Sequence, residues 1–171
     1  MNIRVGFGYD VHQLKEGKDF WLGGIKLSHN KGSVGHSDAD VLIHVICDAL
    51  LGAANLRDIG YHFSDKDPKF KGIDSKILLK EVVDLLRKNQ FEIGNIDTTI
   101  CLQLPKINPL VPEMKNVLVE VMSIRSEDVS IKATTTEHLG FVGREEGISA
   151  YATVLIYRVE PVKDAAAMTP R

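Results

Sequence analysis

HSDADVLIHVICDALLGAANL, residues 36–56, is the segment whose reading decides the fold. Apolar residues recur at 41, 42, 45, 46, 49, 50 and 53, spacings of three and four that cover one half of an α-helix. Ser37 and Asp40 have the S-x-x-D spacing of a capping box, so the helix is expected to start there. Such a helix must be laid against a sheet or another helix, and the flanking sequence supplies both. Upstream, Ile3 to Val11 reads as a strand, and DFWLGGIKLS (19–28) as a hairpin strand broken at Gly23-Gly24. Downstream, residues 55–73 carry Gly, Pro, Asp and Lys without periodicity, a loop long enough to suggest function. Helical spacing returns at Ser75 to Asn89 and Val111 to Ser123, with strand patterns at Asn95 to Leu104, Val129 to Thr134 and Ser149 to Val159. The order β, β, α, α, β, α, β, β predicts an α+β fold: a single-domain two-layer sandwich, its mixed β-sheet covered by helices on one face. Ile96, Thr98, Ile100 and Leu102 alternate with Asp97, Thr99, Cys101 and Gln103, and the uncovered face is expected to carry enough apolar surface for burial in an oligomer.

The 171 residues are 44% hydrophobic and 26% charged with a formal net charge of -2, as in ordinary domains whose core needs neither disulfide nor structural metal. Any metal is therefore expected to serve chemistry. A pI near 6.3 gives no general attraction to nucleic acid or an anionic membrane. No apolar run approaches the roughly 18 residues of a membrane span, and MNIRVGFGYDVH lacks a signal peptide's apolar stretch, so a cytoplasmic address is expected. No repeat or linker divides the chain: residues 1–158 are expected to form one domain, and the aperiodic residues 159–171 a frayed or appended tail. Cys47 and Cys101 lie in apolar patterns at no metal-binding spacing and read as core.

Four places carry candidate chemistry. Asp10 and His12, two apart at the end of a strand, project from one face; alone, such a pair fits a solvent-facing strand end better than a metal clamp. On the helix, Asp40, His44 and Asp48 line up at i, i+4 and i+8 beside the apolar half, so the carboxylates could orient the imidazole of His44. Asp10, His12 and His44 together would make one carboxylate and two imidazoles with a fourth position open, a catalytic zinc arrangement. His36, just before the helix, stands where backbone N–H groups favour a phosphate, although an exposed histidine in a cap fits equally well. KATTTEHLGFVGREEG (132–147) sets Lys132, three threonines, Glu137 and Arg144 in a strand exit and glycine-bearing loop, suited to phosphoryl oxygens and a hard cation. The loop QLPKIN (103–108), with an unpaired backbone and Lys106 suited to a base edge, by itself reads as an ordinary connection.

GYDVH (8–12), LGGI (22–25), HSDADVLIH (36–44), DALLGAANLRDIG (48–60), DKDPKFKG (65–72), GNIDTTI (94–100), PKINP (105–109) and KATTTEHLGFVGREEGI (132–148) together resemble the 2-C-methyl-D-erythritol 2,4-cyclodiphosphate synthases of the non-mevalonate isoprenoid pathway. The similarity runs to about Tyr157. It implies intramolecular attack of the 2-phosphate of 4-diphosphocytidyl-2-C-methyl-D-erythritol 2-phosphate on its own β-phosphate, releasing CMP: a phosphorus-oxygen lyase. It further implies one zinc ion per subunit on Asp10, His12 and His44, a second divalent ion, Mg²⁺ or Mn²⁺, on Glu137, and transition-state stabilisation by His36 and Thr135. Substrate contacts implied in the same way are Asp10, Val11, His12, His36 and Ser37; Asp58, Ile59 and Gly60 at the ribose; and Phe63, Ser64, Asp65, Lys66 and Asp67 at the methylerythritol. Leu102, Gln103, Leu104, Pro105, Lys106, Ile107 and Asn108, with Thr134, would enclose cytosine, and Thr135, Thr136, Glu137, Phe141 and Arg144 complete the set. Ser64 replaces a proline frequent in these enzymes, which leaves the substrate loop less rigid. The resemblance also implies a homotrimer with sites between neighbouring subunits. Two other classes remain open: a nucleotide-binding module without chemistry, and a zinc phosphohydrolase with a water nucleophile.

Overall fold

In chain order the elements are β1 (Ile3–Glu16), β2 (Phe20–Leu22), β3 (Ile25–Leu27), β4 (Lys31–Val34), α1 (Val41–Ala53), α2 (Ile59–His62), α3 (Ser75–Lys88), β5 (Phe91–Cys101), α4 (Val111–Met122), β6 (Val129–Thr134), α5 (Gly140–Gly143) and β7 (Gly147–Arg158). The computed structural model describes residues 2–159, so the expected tail lies, apart from Val159, outside the described residues. Five strands form one sheet in the order β4-β1-β7-β5-β6, and β2 and β3 pair separately as the hairpin turned at Gly23-Gly24. Neighbours are antiparallel except β5 and β6, a parallel pair joined through α4. The α+β sandwich with a mixed sheet and helices α1, α3 and α4 on one face is as the sequence predicts.

Several local expectations are corrected. β1 continues past Val11 to Glu16 because β7 pairs with it as far as Gln13 and β4 takes over from Gln13 to Glu16. β4 itself, KGSV, carries no alternation that would announce it. The cap of α1 is Asp40, not Ser37: its fully buried carboxylate accepts from Leu42 and Ile43 N–H within the helix, and from Gly23 and Gly24 N–H of the hairpin. Four backbone donors thus tie the hairpin to the helix start through one side chain. The long loop is not bare, since residues 59–62 form α2. On β5 the inward Ile96, Thr98 and Ile100 are buried beneath the helices, and Asp97, Thr99 and Cys101 face the other way. The uncovered apolar surface is instead an odd-numbered stripe on β1, led by Val5 at 66% and Phe7 at 64% exposure, with Tyr151 and Tyr157 of β7. Cys47 is core, but Cys101 is half-exposed on this outer face.

The even-numbered positions of β1 face α1, and two are glycine for a steric reason. A Cβ at Gly6 would overlap the Ala49 carbonyl and lie 2.8 Å from the Ala53 Cβ; one at Gly8 would overlap the Val45 carbonyl and lie 3.1 Å from the Ala49 nitrogen. Helix therefore lies directly on strand. Because the two run in opposite senses, the next even positions on β1, Asp10 and His12, come level with His44, one residue before Val45.

Candidate metal centre and substrate cleft

Asp10 Oδ2, His12 Nε2 and His44 Nδ1 form a nearly equilateral triangle, with edges of 3.1, 3.0 and 3.1 Å. Four ligands tetrahedrally arranged about 2.0–2.1 Å from a zinc ion would lie roughly 3.3–3.4 Å apart, so the donor atoms converge as they would on such an ion. Three lone-pair atoms that close repel one another unless a proton or cation stands between them, and two imidazoles with a carboxylate are ligands that zinc accepts. The residues fit the metal. Burial alone would raise the Asp10 carboxyl, but its hydrogen bonds to His12 and His44, and their charge, outweigh that and hold it well below the usual carboxylate range. Its other oxygen accepts the Val11 N–H at 2.7 Å, which sets the rotamer.

The expected support of His44 by Asp40 and Asp48 is not found. Asp40 is occupied by the helix cap, and Asp48 Oδ1 accepts the Ile59 N–H at 2.8 Å. His44 Nε2 meets hydroxyls instead, Ser37 Oγ at 3.0 Å and Ser75 Oγ at 3.1 Å. Nothing in the spacing of the sequence signals Ser75, which reaches the site only because α3 begins beside the turn preceding α1.

The triad forms one wall of a cavity of about 390 Å³ completed by His36, Ser37, Asp48, Ile59, Gly60, Phe63, Asp65, Phe70, Ile73 and Leu78. Its lining combines carboxylate, imidazole and hydroxyl groups with apolar side chains. Phe63 packs edge-on against Phe70, with ring centroids 5.4 Å apart, which anchors the loop over the cavity. Burial pushes the Asp48 carboxyl above its ordinary range. Asp48, Phe70, Ile73 and Leu78 are not among the substrate contacts implied by the sequence: Phe70 and Ile73 lie in the aperiodic 55–73 loop, and Leu78 belongs to the apolar spacing of α3.

A second cavity, about 120 Å³, is lined by Leu102, Pro105, Lys106, Ile107, Asn108, Ala133, Thr134 and Thr135. It shares no residue with the first. The row Val11, Ser149, Cys101, Thr134 crosses the sheet from β1 to β6, so both cavities open at the same sheet end, separated by three strand spacings, roughly 14 Å. Thr135 Oγ donates to Glu137 Oε1 at 3.0 Å. Glu137 and His138 both take positive φ, 52° and 61°, and Gly143 has no room for a Cβ because His138 lies against it, so the 137–143 turn is held in a conformation that non-glycine residues rarely adopt.

Other sequence-predicted residues line neither cavity. Val11 projects from the opposite face of β1 to Asp10 and His12. Asp58, Asp67 and Ser64 accept the backbone N–H of Tyr61, Lys69 and Lys66, shaping the loop. Lys66 and Leu104 are exposed, and buried Gln103 accepts the His138 N–H. Thr136 donates to the Leu139 carbonyl, Phe141 packs against Gly147, and Arg144 is forked onto Glu146. Trp21 lies under the Lys76 ammonium at 5.3 Å.

Known proteins resemble this chain over nearly its whole described length. A 2-C-methyl-D-erythritol 2,4-cyclodiphosphate synthase of Bacteroides fragilis is 67% identical over 159 residues, covering 93% of this chain and all of that protein. The bifunctional IspDF of Campylobacter jejuni superimposes with a TM-score of 0.89 at 38% identity, over 93% of this chain and 43% of that one. IspF of Plasmodium falciparum, in a CDP complex, superimposes with a TM-score of 0.82 at 34% identity, over 93% of this chain and 98% of that one. Residues 3–157 match the YgbB family, and the chain belongs to that family.

Proposed function

We propose that this chain is a 2-C-methyl-D-erythritol 2,4-cyclodiphosphate synthase. The observation that carries the reading is the Asp10, His12, His44 triangle at the wall of a cavity sized for a phosphorylated polyol, in a chain 67% identical to a synthase of that name. An oxygen of the substrate's 2-phosphate bonds to the β-phosphorus, the bridge between β- and α-phosphate breaks, and CMP departs with the electron pair; no water enters. The nucleophile is already anionic, so the protein's task is to position two phosphates and disperse their charge.

Asp10, His12 and His44 would hold a zinc ion supplying Lewis-acid polarisation of a phosphoryl oxygen, and Glu137 would hold Mg²⁺ or Mn²⁺ to relieve charge on the diphosphate. His36 at the cavity wall and the Thr135 hydroxyl would donate to the crowded equatorial oxygens. Ser37 would help hold the substrate, Phe63 and Asp65 would enclose the methylerythritol end, and Asp58, Ile59 and Gly60 would meet the ribose. Leu102 to Asn108 with Thr134 would take the cytosine; the solved relative bearing CDP supports a cytidine nucleotide as ligand. Arg144 would meet phosphate only after leaving Glu146.

A homotrimer completes this reading. The two cavities share no residue and stand roughly 14 Å apart across the sheet, and an apolar stripe lies uncovered on β1 and β7, so we assign the trimer contact to that sheet face and the whole site to adjoining subunits. Among the described residues no helix is long and apolar enough to cross a membrane; a cytoplasmic address belongs to the same reading.

The test is incubation of the full chain with the cytidyl substrate and Mg²⁺. Equal amounts of CMP and cyclic diphosphate are expected, and His44→Ala should abolish both. CMP without cyclic product, release of inorganic phosphate, or full turnover in His44→Ala would each overturn the assignment.

A further inference from the structure

Ser75 is the first residue of α3, and Asp38 lies in the turn before α1, yet the two are joined twice: Asp38 Oδ2 accepts the Ser75 N–H at 3.0 Å, and Asp38 Oδ1 accepts the Ser75 hydroxyl at 2.5 Å. The segments carrying them are also bound by backbone hydrogen bonds, Asp38 N–H to Ile73 O and Gly72 N–H to His36 O. Ser75 is fully buried, so its hydroxyl has no water to turn to. A carboxylate only accepts, which commits the single hydroxyl hydrogen of Ser75 to Asp38. Toward His44 Nε2, 3.1 Å away, the Ser75 oxygen can therefore act only as an acceptor. A hydrogen bond between His44 and Ser75 therefore requires the ring hydrogen on Nε2.

That matters because the opposite arrangement has its own attraction. Asp10 Oδ2, 3.1 Å from His44 Nδ1, favours a hydrogen on Nδ1, and the Ser37 hydroxyl, 3.0 Å from Nε2, is able to donate to a bare Nε2. In that tautomer Nδ1 has no lone pair for a metal. We propose that Asp38 and Ser75 are positioning residues that fix the tautomer of His44, so that its Nδ1 lone pair faces Asp10 and His12 ready for a divalent ion. This rests on the metal-dependent reading above. It also fastens the end of the 55–73 loop to the metal centre, since the same carboxylate holds the first N–H of α3.

The test uses the full chain and the variants Ser75→Ala and Asp38→Asn, read by ¹⁵N NMR of the histidine rings without metal and by zinc competition against a chromogenic chelator. The wild type is expected to show His44 protonated on Nε2. Ser75→Ala should shift the ring toward the Nδ1-protonated form and weaken zinc roughly 10–100-fold, with Asp38→Asn moving both readouts the same way. Ser75→Ala that is folded by circular dichroism, with the wild-type tautomer and zinc affinity, overturns the proposal; if it does not fold, Asp38→Asn with unchanged zinc affinity does so. Failure of the wild type to bind zinc would count against the proposed function, whereas the ring spectra judge the tautomer separately.

Discussion

Replacing Gly8 with alanine should damage the metal centre without touching a ligand. The new Cβ would overlap the Val45 carbonyl and stand 3.1 Å from the Ala49 nitrogen, both helix backbone, which cannot rotate away as a side chain would. Restoring ordinary contact requires α1 to lift by roughly 1 Å, comparable to the tolerance of a ligand triangle whose edges are 3.0 and 3.1 Å. Overpacking of this kind costs about 1–3 kcal/mol, which at roughly 2–4 °C per kcal/mol for a chain of this size lowers the melting temperature by about 2–12 °C. Displacement of His44 relative to Asp10 and His12 should cut turnover by about 10²-fold and weaken zinc. Gly52→Ala is the control: no atom lies within 4 Å of its Cβ position in the last turn of α1, so it should stabilise by about 0.5–1 kcal/mol. Calorimetry with zinc titration of both variants decides the matter. A Gly8→Ala protein that melts with the wild type and binds zinc equally would show that close packing of α1 on β1 does not set the site.

Burial holds the Asp48 carboxyl above its ordinary range, so its contribution to stability is full below the unfolded-state pKa of about 3.9 and is lost as the pH rises through the folded value. Asp48→Asn should therefore gain stability over the wild type at pH 7 and little at pH 3, measured by denaturant midpoints; a loss at pH 7 would contradict this. The Cys47 thiol is fully buried, and burial pushes its pKa well up. Iodoacetamide at pH 8 should leave Cys47 unmodified in the native protein and label it only after denaturation, as read by peptide mass spectrometry. Phe7→Glu places a charge on the apolar stripe of β1, so sedimentation equilibrium should give a trimer for the wild type and a monomer for the variant; a variant that stays trimeric rules out this face.

Much of the architecture was legible in local pattern. The apolar repeat from Val41 to Ala53, the Gly23-Gly24 break and the β-branched runs depend on each residue's own neighbours, and the elements form where the pattern puts them. Elements stabilised by distant partners were not legible. β4 exists because β1 offers it an edge, and β1 outruns its own signal for the same reason. At the helix start, the S-x-x-D spacing marked the right place but the wrong residue, because Asp40 is held by two hairpin N–H groups as well as two of its own helix.

The candidate site divides along the same line. Sequence alone placed Asp10 and His12 on one strand face and His44 on one helix edge, because a strand's period of two and a helix's turn are local properties, whereas their role as a donor set was implied only by the family resemblance. Only the tertiary structure decided that they meet, since that depends on α1 lying against glycines at positions 6 and 8 at a depth that no periodicity encodes. It also decided that His44 is steadied by Ser75 and Ser37 rather than by the carboxylates on its own helix, because a half-buried imidazole bonds to whatever the packing of other segments brings within 3.1 Å.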